Sequence, residues 1–140
     1  IKYFGDEIVT AEMLNIDMIT NGLPLLRKTE EIIKYFNPTL WFIENPRSSK
    51  IKDYIIDKHF YDIDYCRYAL WGYKKSTRIW TNKKDFSPLT CNKLCGNMNG
   101  NKHKKDVGNY YKDDSEKHLS YLQIKYRVPP NLIKELIYIH

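Results

Sequence analysis

A glutamate stands directly behind a short apolar run in the first third of the chain. Residues 40–43 are Leu, Trp, Phe and Ile, and Glu44, Asn45 and Pro46 follow them. Ligands of an α/β sheet gather at the carboxyl ends of its strands. Apolar neighbours desolvate a carboxyl group and favour its protonated form, which can act as an acid or a hydrogen-bond donor near neutral pH. The alternative is structural, with Glu44 capping the next helix or pairing with Arg47.

A basic turn precedes a later strand-like segment. Lys74 and Lys75 come shortly before Arg78, which lies next to the apolar pair Ile79 and Trp80. A guanidinium at a strand end can hold a base edge or a phosphate in a fixed fork, and the two lysines suit contacts with a nucleic-acid backbone. A solvated basic turn with one salt-bridged arginine explains the same residues.

Cysteine and histidine recur in the polar stretch that follows. Cys91 and Cys95 are separated by three residues, and His103 and His118 lie downstream. Four such side chains can bind zinc. The irregular gaps fit free thiols in a loop as well.

The composition bounds what kind of protein carries these residues. Of its 140 amino acids 42% are apolar, which is enough for a hydrophobic core. The 23 lysines and arginines exceed the 17 aspartates and glutamates by six, a balance that permits an anionic partner but also fits a lysine-rich solvated surface. No apolar run is long enough to cross a membrane. Three cysteines and no Asn-X-Ser/Thr sequon favour an intracellular protein, in the cytoplasm, the nucleus or a virus particle, over a secreted one.

Apolar spacing predicts the elements that must position the candidate side chains. The order is a helix over residues 24–36, a buried strand over 40–43, a helix over 48–58, strands over 60–67 and 77–81, a polar irregular stretch over 83–120 and a helix that begins at Pro129-Pro130. This order predicts an α/β layer structure whose first two strands run parallel across a crossover helix.

We expect a single domain or a fragment of one. Its parts are a weakly defined segment (1–22), an α/β half-sheet (23–82), the polar irregular region (83–120) and a C-terminal helical region (121–140). The first residue is Ile rather than Met, so we expect a processed, trimmed or partial chain.

Three blocks together resemble the cytosine-5 DNA methyltransferase family, in its phage and large-virus branch. Residues 37–46 read Asn-Pro-Thr-Leu-Trp-Phe-Ile-Glu-Asn-Pro, which is similar to the strand and Glu-Asn-Val motif of these enzymes. Residues 65–82 resemble the later block in which Gln-X-Arg-X-Arg is usual, and residues 126–133 resemble the closing Arg-X-Pro-Pro-X-Leu-Ile segment. The resemblance covers roughly residues 23–138, in the order that the family has.

The resemblance implies roles for individual residues and a fold. Glu44 matches the glutamate that contacts the flipped cytosine at ring nitrogen 3 and the amino group, and Asn45, before Pro46, matches the asparagine that holds the turn of that motif. Arg78 matches the arginine that contacts the base oxygen. The resemblance implies a fold that is the C-terminal half of a Rossmann-like, class I methyltransferase three-layer sheet. It also implies that the methyl donor is S-adenosylmethionine and that the partner is DNA.

Two family motifs are missing from these 140 residues. No cysteine follows a proline, and the glycines form no Gly-X-Gly turn, so the nucleophile and the cofactor turn of the family have no counterpart here. Ser76 stands near the place of the family's earlier arginine. We therefore expect a chain that is inactive alone and that needs a second chain or a missing N-terminal half. The alternative is a non-catalytic structural or interaction protein derived from a methyltransferase, for example as part of a viral assembly.

Overall fold

The computed structural model describes residues 2–4, 7–108 and 110–138. In chain order its strands and helices are β1 (Lys2–Phe4), β2 (Glu7–Val9), α1 (Ala11–Asp17), α2 (Leu23–Phe36), β3 (Phe42–Pro46), β4 (Phe60–Asp64), β5 (Ser76–Thr81), β6 (Met98–Asn99), β7 (Lys102–His103), α3 (Tyr121–Tyr126) and α4 (Pro130–Ile137). The chain is thus mixed α/β, as its sequence predicts. Among the residues described, no helix has the length and apolar character needed to cross a membrane.

The helix predicted over residues 24–36 is α2. Pro24 lies in its first turn, where the N–H that proline lacks has no intrahelical partner to lose. The helix ends at Asn37, which adopts the left-handed conformation with φ 42° and donates its N–H to the Ile33 carbonyl at 2.9 Å. Asparagine tolerates this conformation better than most residues, and Pro38 then prevents the helix from continuing.

The sheet that carries the candidate site has three strands in the order β3-β5-β4. Both β3 and β4 pair antiparallel with β5, which lies between them. The two strands predicted to be parallel therefore run in the same direction, but they are not neighbours. The spatial neighbour of each is the strand that follows them both in the chain.

The crossover between β3 and β4 does not form the helix predicted over residues 48–58. It contains a single 3-10 turn, Lys50–Asp53, capped by the Ser49 hydroxyl, which accepts the Ile51 N–H at 3.4 Å. Ile51 in this turn and Ile55 just after it are buried in the core without a longer helix, whereas Ile56, which the predicted helix would also place inward, is 87% exposed. The prediction of a helix over residues 48–58 was therefore wrong, because the segment forms only a 3-10 turn.

The strand predicted over residues 60–67 also ends early. β4 stops at Asp64, and a 3-10 turn, Tyr65–Arg67, follows. The Tyr65 and Cys66 N–H groups donate to the Lys75 and Lys74 carbonyls at 3.2 and 3.3 Å. The turn therefore packs against the segment that enters β5, an arrangement that local alternation could not predict.

Apolar side chains cover both faces of the sheet, because successive strand residues point to opposite sides. On one face Ile63 and Ile79 pack with residues of α4 and the loops; this cluster comprises Ile63, Tyr65, Tyr68, Ile79, Phe86, Leu132 and Leu136. On the other face Trp80 packs with Leu26 of α2, Ile51 and Ile55. The small antiparallel sheet therefore carries an apolar cluster on each face.

The polar region over residues 83–120 is mostly irregular, with the small β6-β7 hairpin and a 3-10 turn, Asp114–Glu116. Buried Asn97 ties it to the core, since its side-chain amide donates to the Cys66 and Ala69 carbonyls, both at 2.9 Å, and accepts the Gly72 N–H at 2.7 Å. Helix α3 follows; the sequence predicted a helical region over residues 121–140 but, within it, only the helix that begins at Pro129-Pro130. A capping box between Ser120 and Gln123 starts it.

Candidate functional site

A cleft of about 830 Å³ opens where β3 ends and β5 begins. Five of the six residues predicted to act on substrate line it, namely Glu44, Asn45, Pro46, Lys75 and Arg78. The other lining residues come from the segment after β3, from the start of β5, from the polar region and from α3: Arg47, Ser48, Lys52, Ser76, Val107, Lys125 and Tyr126.

Glu44 lies inside β3, opposite Ile79 of β5, rather than beyond a strand end as predicted. The Tyr65 hydroxyl donates to its Oε1 atom at 2.8 Å, and the Lys75 ammonium lies 3.9 Å from the same oxygen. Burial, together with the neighbouring Glu44 carboxylate, raises the pKa of Tyr65, so this phenol keeps its proton and remains a donor. The Glu44 side chain is 34% exposed, which leaves it open to a molecule in the cleft.

Lys75 is held inward rather than offered to solvent. Its backbone has φ 35°, and its side chain is only 12% exposed. The ammonium donates to the Lys125 carbonyl at 3.0 Å and lies 4.7 Å from the centre of the Tyr65 ring. Burial lowers the pKa of Lys75. This lysine braces the wall behind Glu44, whereas the sequence suggested a contact with a nucleic-acid backbone.

Arg78 lies in the middle of the sheet and is paired with Asp62. Its Nε and one terminal nitrogen donate to the two carboxylate oxygens at 2.7 and 2.8 Å, and the guanidinium lies 3.8 Å from the centre of the Phe60 ring. These hydrogen bonds hold the pKa of Asp62 below its usual value. These two nitrogens of the guanidinium therefore bind a carboxylate of the protein itself, which agrees with the alternative of a salt-bridged arginine.

The register places Glu44 and Arg78 on opposite faces of the sheet. Arg78 is opposite Asn45, whereas Glu44 is opposite Ile79. Because side chains alternate between faces along a strand, Arg78 shares its face with Asn45. Both faces reach the cleft at the end of the sheet, but the two predicted catalytic residues do not point at a common atom.

Exposed cations surround the mouth of the cleft. Arg47, Lys52 and Lys125 are solvent-exposed lining residues, and Lys75 and Arg78 add positive charge deeper inside. Glu44 is the single carboxylate among the lining residues. Clefts lined by one sign of charge concentrate ligands of the opposite sign, so this cleft favours a polyanion with a group that reaches Glu44.

Sequence reasoning missed two supporting residues, Tyr65 and Asp62. Asp62 belongs to the alternating segment over residues 60–67, on the face opposite Ile63, and a carboxylate inside a strand was the available signal that it needs a polar partner. Nothing in the sequence signalled that this partner is Arg78 or that Tyr65 reaches Glu44.

Arg127, from the closing block of residues 126–133, positions α3 at the cleft. Its guanidinium donates to the Glu116 carboxylate at 2.7 Å and to the Tyr73 hydroxyl at 2.9 Å, and it lies 4.0 Å from the centre of the Trp71 ring. Burial acts to lower the pKa of Arg127, but the hydrogen bonds to Tyr73 and Glu116 raise it on balance. The end of α3, which lines the cleft, is thereby fixed to the core.

The remaining predicted residues lie outside the cleft. Lys74 is 3.6 Å from the buried Asp64 carboxylate, on the side of the polar region. Cys91, Cys95 and His103 lie together, and their fourth neighbour is Cys66. His118 is exposed and does not belong to this group. The turn after β4, which carries Cys66, lies beside the other three ligands, whereas the segment before α3, which carries His118, does not.

A comparison with known proteins finds one similar sequence that matches most of the chain. Over 139 residues the chain is 37% identical to a Frog virus 3 (isolate Goorha) protein named "Probable DNA (cytosine-5)-methyltransferase". The matched region is 92% of this chain but 63% of the relative, so the chain spans less than two thirds of that protein's length. No family model matches the chain, and no solved structure matches it. The resemblance drawn from the three blocks is therefore confirmed across nearly the whole chain.

Proposed function

We propose that this relative of a viral cytosine-5 DNA methyltransferase is the part of such an enzyme that binds DNA and holds the target cytosine. In this proposal the chain is the C-terminal portion of a Rossmann-like catalytic domain. The nucleophile and the methyl-donor site come from the portion of the enzyme that matches the rest of the relative's length, or from a second chain. The observation that carries the proposal is the cationic cleft in which Glu44 is the single carboxylate.

The geometry of Glu44 suits a base edge. Cytosine presents a ring nitrogen that accepts a hydrogen bond beside an amino group that donates one. A carboxyl group can accept from the amino group, and when protonated it can also donate to the ring nitrogen. Tyr65 donates to Oε1 at 2.8 Å, which orients the carboxyl group while its other oxygen stays available to the base. Holding ring nitrogen 3 in its protonated form makes carbon 6 of the base more electrophilic.

In this proposal Arg78 holds the strand that forms the cleft wall on the side of Asn45, and it does not contact the base atoms that Glu44 contacts. Its fork to Asp62 joins the central strand β5 to β4, where Asp62 lies directly opposite Arg78, while Asn45 of β3 lies opposite Arg78 on the other side. We assign it a positioning role, because its guanidinium already binds a carboxylate. The exposed cations Arg47, Lys52 and Lys125 bind the phosphates on either side of the flipped nucleotide.

S-adenosylmethionine is the methyl donor that the family implies. In the family it is held by a glycine-rich turn at a helix N-terminus. Within residues 2–4, 7–108 and 110–138 no strand leads through such a turn into a helix. The residues described here therefore do not fit the donor.

The test uses a duplex whose target cytosine lies opposite an abasic site, since an unpaired base costs less to flip. Fluorescence anisotropy compares it with the same duplex carrying thymine at that position. We expect the purified chain to prefer cytosine and Glu44→Ala to lose about tenfold in affinity for the cytosine duplex alone, the size of one good base-edge contact. The matched control is Glu31→Ala, an exposed carboxylate on α2.

The salt dependence of binding in the same assay tests the exposed cations Arg47, Lys52 and Lys125. Lys52→Ala should weaken binding of both duplexes equally and reduce the slope of log K against log salt by about one, because one phosphate contact is lost. Lys28→Ala, an exposed lysine on α2, should leave the slope unchanged. A chain that shows no preference for cytosine, or a preference that survives Glu44→Ala, contradicts the proposal.

A further inference from the structure

Three thiols and one imidazole converge outside the cleft. Cys66 follows β4, Cys91 and Cys95 lie in the polar region, and His103 ends β7; their four potential ligand atoms all lie within 4.8 Å of one another. None of the cysteines is in a disulfide. The Cys91 and Cys95 sulfurs are 3.7 Å apart, whereas bonded sulfurs are about 2 Å apart.

The distances between these ligand atoms match those between the ligands of a tetrahedral zinc ion. With Zn–S bonds of about 2.3 Å and Zn–N bonds of about 2.0 Å, tetrahedral geometry places two sulfurs about 3.8 Å apart and a sulfur and a nitrogen about 3.5 Å apart. The Cys91 sulfur lies 3.7 Å from the Cys95 sulfur, and the His103 Nε2 atom lies 3.5 and 3.4 Å from the two sulfurs. These three ligands already have the required spacing.

We propose that Cys66, Cys91, Cys95 and His103 form a structural zinc site. Four protein ligands close the coordination sphere, which is the arrangement of structural rather than catalytic sites. Three soft thiolates and an imidazole in tetrahedral geometry select zinc over magnesium or calcium. On binding, each cysteine that is still a thiol releases its proton to solvent as its sulfur bonds to the metal.

The backbone around the ligands is arranged to support thiolates. Lys93 adopts φ 67°, which folds the segment between the two cysteines into a tight turn, and its N–H donates to the Cys91 sulfur at 3.3 Å. The Cys91 N–H donates to the buried Asp64 carboxylate at 2.7 Å. Such outer contacts fix the orientation of metal ligands.

The site explains how a region with little apolar packing holds its shape. Leu94, between the two cysteines, is 81% exposed, and the hairpin β6-β7 has only two residues in each strand. A metal bound by Cys66 on one side and by three residues of the polar region on the other joins this region to the core. The carbonyls that accept the Tyr65 and Cys66 N–H groups belong to Lys75 and Lys74, so the metal would also brace the turn that carries Lys75 into the cleft.

The direct test is the metal content of the full chain purified under reducing conditions with zinc in the medium and then dialysed. Mass spectrometry of the metal should find about one zinc per chain in the wild type, and less than about one per four chains in Cys66→Ser and Cys95→Ser. His118→Ala is the matched control and should keep its zinc, since this exposed histidine lies outside the group. A wild type with less than about one zinc per four chains overturns the proposal, and so does full occupancy in both serine variants.

A second measurement covers the case in which the serine variants fail to fold. Alkylation of the wild-type chain is followed at each cysteine by mass spectrometry, with zinc and after its removal by a chelator. We expect all three cysteines to react slowly with zinc bound, and the partly exposed Cys91 and Cys95 to react at least tenfold faster without it. Equal rates in the two states contradict the site.

Discussion

The Glu116 carboxylate shows at the scale of single residues how this chain keeps a charge in its interior. Its side chain is 7% exposed, and it accepts hydrogen bonds from Lys105 at 2.8 Å, Arg127 at 2.7 Å and the Tyr110 hydroxyl at 2.5 Å. Burial acts to raise the pKa of Glu116, but the three donors outweigh it and lower the pKa to about 2. The carboxylate thus joins the polar region to the segment before α4.

The lowered pKa makes a contribution to stability that depends on pH. Because the folded pKa lies below the unfolded one, the contribution is complete above about pH 4.5 and is lost as the pH falls towards 2. The difference corresponds to about 3 kcal/mol. We expect Glu116→Gln to lower the free energy of unfolding in urea by about that amount at pH 7 and by much less at pH 3.

The control for this prediction is Asp114→Asn, two residues away, whose side chain is 94% exposed. It should change the free energy of unfolding by less than about 0.5 kcal/mol at either pH. An effect of Glu116→Gln that is as large at pH 3 as at pH 7 would show that the carboxylate's charge is not what stabilises the fold.

At the scale of elements, the shortest helix near the cleft depends on its cap. Helix α3 has six residues, too few to be stable by its own backbone hydrogen bonds. The Ser120 hydroxyl accepts the Gln123 N–H at 3.1 Å, and the Gln123 side chain accepts the Ser120 N–H at 2.7 Å. Buried Ile124 anchors the helix to the core, and Lys125 then faces the cleft.

Removal of this cap should therefore affect both stability and binding. We expect Ser120→Ala to lower the free energy of unfolding by about 1 kcal/mol, measured by urea denaturation, and to weaken DNA binding through the loosened Lys125. Ser87→Ala replaces an exposed serine outside any helix and should do neither. A Ser120→Ala chain as stable as the wild type would mean that tertiary contacts alone hold α3.

At the scale of the whole molecule, the N-terminal third exposes many large apolar side chains. Helix α2 has the predicted apolar spacing, yet only Leu26 of that helix is buried. The exposed apolar side chains in this part of the chain are Ile8, Met13, Leu14, Ile16, Ile19, Leu25, Ile32, Tyr35 and Phe36. Apolar surface of this kind is uncommon on isolated monomers and promotes association.

We expect the isolated chain to self-associate with rising concentration, as followed by sedimentation velocity. The double variant Ile19→Glu and Phe36→Glu places charges on two side chains that are 53% and 71% exposed, and it should shift the chain towards monomer. Ile56→Glu is the matched control, because Ile56 is 87% exposed but lies outside this segment. A wild type that remains monomeric at all concentrations would contradict this prediction.

The sequence by itself determined the features that local chemistry specifies. The apolar spacing of residues 24–36 and the Asn37-Pro38 stop predicted α2, and the branched and aromatic residues 77–81 predicted β5 to within one residue. The three motif blocks predicted the resemblance that the 37% identical Frog virus 3 protein confirms, and they selected five residues that line one cleft. The type of these two elements and the residues of each motif block depend on amino acids that are close together in the chain.

Only the tertiary structure decided how distant segments meet. Arg78 pairs with Asp62, sixteen residues away, and Tyr65 donates to Glu44, twenty-one residues away. Cys66 joins Cys91 and Cys95 in place of His118 because the strand order β3-β5-β4 places the turn after β4 beside the polar region. Strand alternation sets which face a side chain takes, but register sets its partners, and the register between strands far apart in the chain depends on which of their faces the fold buries.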